Sequence, residues 1–210
     1  MNNYRVMNRH AGGINMKRQK LTAIIGSMFS GKTTHLIEVY DALKNKEEHE
    51  KYETPVIFKP SLDTRYAEGY VNSHDGEKRT AIVCARADDV LTYLSTYDAS
   101  SVLLDETQFF NDGIVDIIDD ILESGRQVIF TALPTNFKGE PFKFPGSDRH
   151  IGELIAMADD IQQLYATCTL CGKPATKTQR LIPLEAEIMI GGTNAYEARC
   201  YEHHDPRVRL

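Results

Sequence analysis

The stretch LTAIIGSMFSGKTTHLIEVY (21–40) restricts the fold more than any other. LTAII is short, apolar and partly β-branched, the signature of a strand, and it stops at a glycine. From residue 33 onward Leu36, Val39, Tyr40 and Leu43 recur at helical spacing, which predicts a helix over 33–46. Between the two, GSMFSGKT (26–33) fits the pattern G-x-x-x-x-G-K-[ST]. Such a loop turns backbone N–H groups inward around an anion, and the helix N-terminus adds partial positive charge. The spacing therefore predicts a phosphate cradle made by Gly26, Ser27, Met28, Phe29, Ser30 and Gly31. Lys32 would reach the β- and γ-phosphates of a nucleotide, and the Thr33 hydroxyl would hold Mg²⁺.

The following segments alternate in period. TPVIFKP (54–60), TAIVC (80–84), SSVLLD (100–105) and QVIFTAL (127–133) read as strands. Residues 61–78 read as a loop, 87–97 as a helix, and Ile114, Ile117, Ile118, Ile121 and Leu122 as one face of another. Asn111 or Asp112 is the expected N-cap of that helix and Gly125 its stop. Strands alternating with helices predict an α/β fold with a mostly parallel sheet covered on both faces. Residues 134–150, rich in Pro, Gly and aromatics, read as a long functional loop. A short helix (151–159) and a strand (161–167) follow.

VLLDETQFF (102–110) ends an apolar run in two adjacent carboxylates, an arrangement that costs desolvation and repulsion. Beside a phosphate loop, an acid at the end of a neighbouring strand is where Mg²⁺ is held, which gives Asp105 a task. Glu106 would face the γ-phosphate as a general base toward the attacking oxygen. The pair alone leaves open whether that oxygen belongs to water or to an acceptor hydroxyl.

Of four cysteines, three gather late: Cys168-x-x-Cys171 and Cys200-x-x-His203 form two short-spaced half-sites. Without a secretory signal, this spacing points to metal rather than disulfides, and Cys₃His suits a closed structural zinc. His204 competes with His203 as fourth ligand, and His203 is preferred. Cys84 reads as a small buried hydrophobe. The metal would clamp a loop over about 182–195 whose Gly191-Gly192 allows close backbone approach to a ligand.

The chain carries a net charge of −6, and residues 182–210 hold three Arg, no Lys and five acids. That balance disfavours nucleic acid as a partner. No apolar run approaches the ~18 residues of a membrane span. The first twenty residues carry five Lys/Arg and no acid without an apolar stretch behind them, so residues 1–19 are expected to be a disordered basic head. Residues 20–165 are expected to form the ATP-binding domain and 166–210 a zinc lobe carrying the 182–195 loop, which reads equally as a lid over a ligand or as a plain hairpin connection.

Together these pieces resemble the zinc-containing thymidine kinases. The likeness rests on GSMFSGKT, DTRY (63–66), SHD (73–75), DETQFF (105–110), NFKGEPF (136–142), C-x-x-C at 168–171, TKTQRL (176–181), IGG…Y (190–196) and C-x-x-H at 200–203, in the family's order. The resemblance implies a P-loop NTPase core of RecA-like type and a lasso-type lid. It implies transfer of the γ-phosphate of ATP to the 5′-hydroxyl of thymidine, with deoxyuridine a possible acceptor, for nucleotide salvage. In that setting Glu106 takes the hydroxyl proton, Lys32 and Arg65 offset charge on the transferring phosphate, and Gln108 joins the ATP/Mg²⁺ group. Asp63 lies near the ribose. Phe109, Phe137, Phe142 and Tyr196 enclose the base, with Met28, Leu133 and Thr178 on its methyl side and the lid backbone around Gly191 on its polar edge. The resemblance also implies a cytoplasmic homotetramer inhibited by thymidine triphosphate. Thr107 stands where the family has a small residue, so its β-branch is expected to crowd the pocket; Pro134 stands where a polar residue is common. Competing readings are a P-loop ATPase switch whose zinc lobe binds a partner, and a nucleic-acid module on that lobe.

Overall fold

The computed structural model describes residues 18–47, 55–62, 69–72, 76–182 and 195–207. Six strands form one sheet: β1 (Leu21–Ile25), β2 (Val56–Pro60), β5 (Ile82–Cys84), β6 (Ser101–Leu104), β7 (Gln127–Ala132) and β8 (Asp160–Gln163). They lie in the order β5-β2-β6-β7-β1-β8, and every pairing between them is parallel. Alternate residues point to opposite faces. Ile57, Leu103 and Ile129 therefore face one way, against Leu36 and Ile37 of helix α1 (Lys32–Glu47). Phe58, Leu104 and Phe130 face the other, into a larger cluster closed by α2 (Asp88–Leu94), α3 (Ile114–Glu123) and α4 (Gly152–Met157). Both faces are covered, so the strands can be apolar throughout. The fold is the α/β architecture expected, with the phosphate loop joining β1 to α1. Among the described residues no helix is long and apolar enough to cross a membrane.

Four local expectations need correction. Asp105 follows β6, which is separated from β1 by β7, so the acid sits next but one to the strand of the phosphate loop. Residues 61–78 are not all loop: β3 (Tyr70–Asn72) pairs antiparallel with β4 (Lys78–Thr80). These strands are three residues each and mostly exposed, leaving Val71 as the main apolar anchor, so they carry little periodicity. Val71 joins the cluster of Leu36 and Ile37 on α1, and Arg79 adds a two-pronged ion pair with Asp41, at 2.8 and 2.5 Å. Helix α3 has Gly113 at its N-cap with no side-chain cap. Asn111 instead accepts a hydrogen bond from the Ala87 N–H (2.8 Å), and Asp112 accepts one from Ser147 (2.8 Å), so both side chains serve tertiary contacts. The predicted strand 161–167 is two strands, β8 and β9 (Ala166–Thr167).

Beyond β8, two antiparallel pairs build the region that carries Cys168, Cys171, Cys200 and His203: β9 with β10 (Pro174–Ala175), and β11 (Lys177–Arg180) with β12 (Tyr196–Arg199). Cys84 ends β5 in the core, where burial pushes its thiol up to about 12, leaving it an inert packing group.

Candidate functional site

The phosphate loop takes its shape from two left-handed residues, Phe29 (φ 65°) and Gly31 (φ 82°). At Gly26 an added Cβ would sit 2.4 Å from Ser30 Oγ and 2.7 Å from the Leu164 carbonyl, so only glycine passes there. The Lys32 ammonium is buried and donates to the Ser27 carbonyl (3.0 Å), over its own loop. Ser30 Oγ is buried with no hydrogen-bond partner, and a buried polar atom left so is suited to an incoming acceptor. These features fit a phosphate cradle.

Across the sheet, the Thr33 hydroxyl lies 3.2 Å from both Asp105 carboxylate oxygens. This is an all-oxygen donor set, the kind Mg²⁺ prefers. Thr131 on β7, lying between the two strands, donates to Asp105 (2.6 Å) and accepts from the Glu106 N–H (2.9 Å). Sequence reasoning passed over Thr131; its only signal was one hydroxyl in the otherwise apolar interior of QVIFTAL.

Glu106 is 7% exposed and left-handed (φ 49°, ψ 47°). A non-glycine residue held there costs about 1–3 kcal/mol and persists only where its surroundings fix it. The fixing bonds are Thr131 to the Glu106 N–H, the Phe109 N–H to the Glu106 carbonyl (3.0 Å), and Gln108 to the carboxylate (2.6 Å). Gln108 is fully buried, and its oxygen accepts from the Leu133 N–H (3.1 Å), so the carboxylate is braced against β7. Thr107 is fully buried too; its hydroxyl donates back to the Leu104 carbonyl (3.4 Å) at the strand end.

The apolar residues fall in two groups. Phe109 and Phe142 meet edge to face (centroids 5.6 Å apart) and, with Leu133, belong to the main core. Phe137 and Tyr196 form a second cluster with Ala195. Met28 packs against both, so the phosphate loop lies at their junction. Arg180, which the sequence reading did not single out, stacks on Phe137 (3.8 Å to the ring centroid) and donates to the Tyr196 hydroxyl (3.4 Å). Such a stack holds a planar cation and an aromatic ring in fixed relation. Thr178 accepts from the Met28 N–H (3.1 Å), and Ser27 donates to the Ala175 carbonyl (3.4 Å), which ties the loop to β10 and β11. Asp63, Arg65 and Gly191, with DTRY, SHD and most of the 182–195 loop, lie outside the described residues.

The ligand atoms of Cys168, Cys171, Cys200 and His203 all lie within 4.8 Å of one another. With Zn–S at about 2.3 Å, tetrahedral geometry requires sulfurs about 3.8 Å apart. Cys171 and Cys200 Sγ stand at 3.7 Å, and His203 Nδ1 lies 3.3 Å from Cys200 Sγ and 3.7 Å from Cys168 Sγ, so the donors fit zinc. His204 turns away, its Nε2 2.8 Å from the Phe137 carbonyl. Phe29 of the phosphate loop packs against the small apolar cluster that Cys168 and Cys200 form with Ala166, Ala175 and Ala198.

A sequence model described as thymidine kinase matches residues 19–204, from just before β1 to just past His203 of the Cys₃His cluster. With sheet, loop and metal cluster all inside the match, the chain belongs to the thymidine kinase family.

Proposed function

We propose that this chain transfers the γ-phosphate of ATP to the 5′-hydroxyl of thymidine, with Glu106 as general base. The observation that carries the reading is Glu106 itself: a buried, strained, three-way-braced carboxylate one residue beyond the Asp105–Thr33 pair. In this reading Glu106 accepts the hydroxyl proton as the 5′-oxygen bonds to the γ-phosphorus and the bond to the ADP oxygen breaks. The brace matters because an acceptor misplaced by about 1 Å loses orders of magnitude in rate. Lys32 and the loop N–H groups offset charge on the phosphates, and Arg65 adds a further cation. Mg²⁺ held at Thr33 and Asp105 would neutralise charge between the β- and γ-phosphates.

Phe109, Phe142, Leu133, Met28, Phe137 and Tyr196 enclose the flat base, and Thr178 and the loop at Gly191 complete its surround. Asp63 takes the ribose. A polar pyrimidine edge held by backbone groups admits deoxyuridine less readily only through the missing methyl, a modest discrimination. Zinc at Cys168, Cys171, Cys200 and His203 is structural, holding the 166–210 lobe against the 20–165 domain. Feedback by thymidine triphosphate, a homotetramer and a cytoplasmic setting complete this reading. ADP release measured with and without thymidine tests it: the expected result is turnover that depends on thymidine, and equal hydrolysis without any nucleoside would defeat it.

Thr131 is assigned a positioning role, since its hydroxyl bonds both Asp105 and the Glu106 N–H. Thr131→Val keeps the shape and removes two hydrogen bonds, so unfolding free energy should fall by about 1–3 kcal/mol. Turnover should fall about tenfold through kcat, with the KM for ATP little changed. Denaturant titration beside steady-state kinetics checks both; an unchanged kcat would remove Thr131 from the account.

A further inference from the structure

Among the described residues, Lys59 is a buried charge that the mechanism above leaves unused. Lys59 on β2 is 2% exposed, and its Nζ has no hydrogen-bond partner. Lysines are almost never fully buried unless paired, because a desolvated ammonium is costly. Among the described residues, Arg180 and Arg199 each leave one buried nitrogen without a partner, but both bond through another nitrogen. Lys59 has a single nitrogen, so its whole charge is left over.

Its place in the sheet says what the charge is for. Phe58 pairs with Leu104, and the Asp105 N–H donates to the Phe58 carbonyl (2.9 Å), so Lys59 and Asp105 are the next rung. Ile57 and Leu103 lie on the α1 face, and two residues on, Lys59 and Asp105 return to that face. Thr131, on the α1 face with Ile129, completes the row on the other side of Asp105. In the sheet, Asp105 thus has on one side Thr131, whose hydroxyl bonds it, and on the other Lys59 of β2, the strand farther from the phosphate loop. A purely structural buried position on this face, which carries Ile57 and Leu103, would be filled by leucine or valine.

We propose that the Lys59 ammonium binds the terminal phosphate of the nucleoside triphosphate, from the side of Asp105 opposite the phosphate loop. This rests on the reading of the site as an ATP site. Lys32 serves the phosphate chain from the loop; Lys59 meets only its far end. Binding then replaces an uncompensated buried charge with a charge-assisted pair, while a diphosphate leaves it unmet.

The test is Lys59→Met, which keeps the stem and removes the charge, titrated with MgATP and with MgADP by calorimetry. The expected result is a loss of ATP affinity of about 10- to 100-fold, the effect of one charge-assisted hydrogen bond. ADP affinity should stay within about twofold of wild type, and the melting temperature of the ligand-free protein should be unchanged or higher. Retained ADP binding reports an intact fold; should the Met chain fail to fold, Lys59→Gln is titrated in the same way. Unchanged ATP affinity, or a parallel fall in ATP affinity, ADP affinity and melting temperature, would overturn the proposal. Wild-type ATP binding without thymidine-dependent turnover would instead count against the kinase reading, so the two failures are separate.

Discussion

Glu106→Gln is expected to lower thymidine-dependent turnover by about 10²- to 10⁴-fold, the range for removing a positioned general base. The amide is nearly isosteric, so the left-handed turn and its bonds to Thr131 and Phe109 are retained. Gln108, which donates to the carboxylate at 2.6 Å, can still donate to an amide oxygen. MgATP affinity and melting temperature should therefore stay close to wild type, which separates lost chemistry from lost structure. Steady-state kinetics beside calorimetric ATP titration reads both. A variant that keeps more than about a tenth of wild-type kcat would show that Glu106 is not the base.

The second large effect should follow removal of zinc. The cluster does not hang free of the site: Phe29 packs on the apolar cluster that includes Cys168 and Cys200, and Met28 and Ser27 are bonded to Thr178 and Ala175. Structural zinc supplies about 10–16 kcal/mol of folding free energy in small zinc peptides, comparable to the net stability of a whole domain. Losing it should unpin β9–β12 and with them the Thr178 contact to the phosphate loop. Cys200→Ala or chelation should abolish the bound metal and reduce turnover by about 100-fold or more. The parallel sheet, with its separate apolar core, should retain most of its secondary structure. Metal analysis, circular dichroism and kinetics, before and after zinc is returned, follow this. Cys84→Ala, in the core and remote from the cluster in sequence, should leave metal content unchanged. Full activity in a metal-free chain would contradict the coupling.

The parts of this molecule legible in its sequence are those with strong local periodicity or fixed spacing. The strand–loop–helix around GSMFSGKT, the apolar strands and the amphipathic α3 follow from patterns whose period is their structure. The pairing of Cys168 with Cys171 and of Cys200 with His203 follows from short spacings that leave little conformational choice, and the repeated half-site pointed to their meeting at one metal. What escaped depends on tertiary partners. Asn111 and Asp112 have the right chemistry to cap α3, yet each finds a better-placed partner on another segment. The β3–β4 hairpin is held by Val71 and one arginine pair rather than by an apolar face. That β7 intervenes between the loop strand and the acid strand is a fact of strand order, which local pattern does not encode. Thr131 matters only because of that insertion: it is the residue of the intervening strand that reaches Asp105 and Glu106 together. Lys59, likewise, is a single lysine inside VIFKP, whose meaning appears only when β2 is laid beside β6.

The central claim is that the oxygen facing Glu106 belongs to a nucleoside rather than to water. The most direct measurement follows the γ-phosphate itself: ATP labelled on its terminal phosphate is incubated with the protein, Mg²⁺ and thymidine, and the labelled product is identified. The account predicts label in thymidine 5′-monophosphate, with inorganic phosphate at the level of an enzyme-free control. Label released chiefly as inorganic phosphate, at a rate indifferent to thymidine, would contradict it.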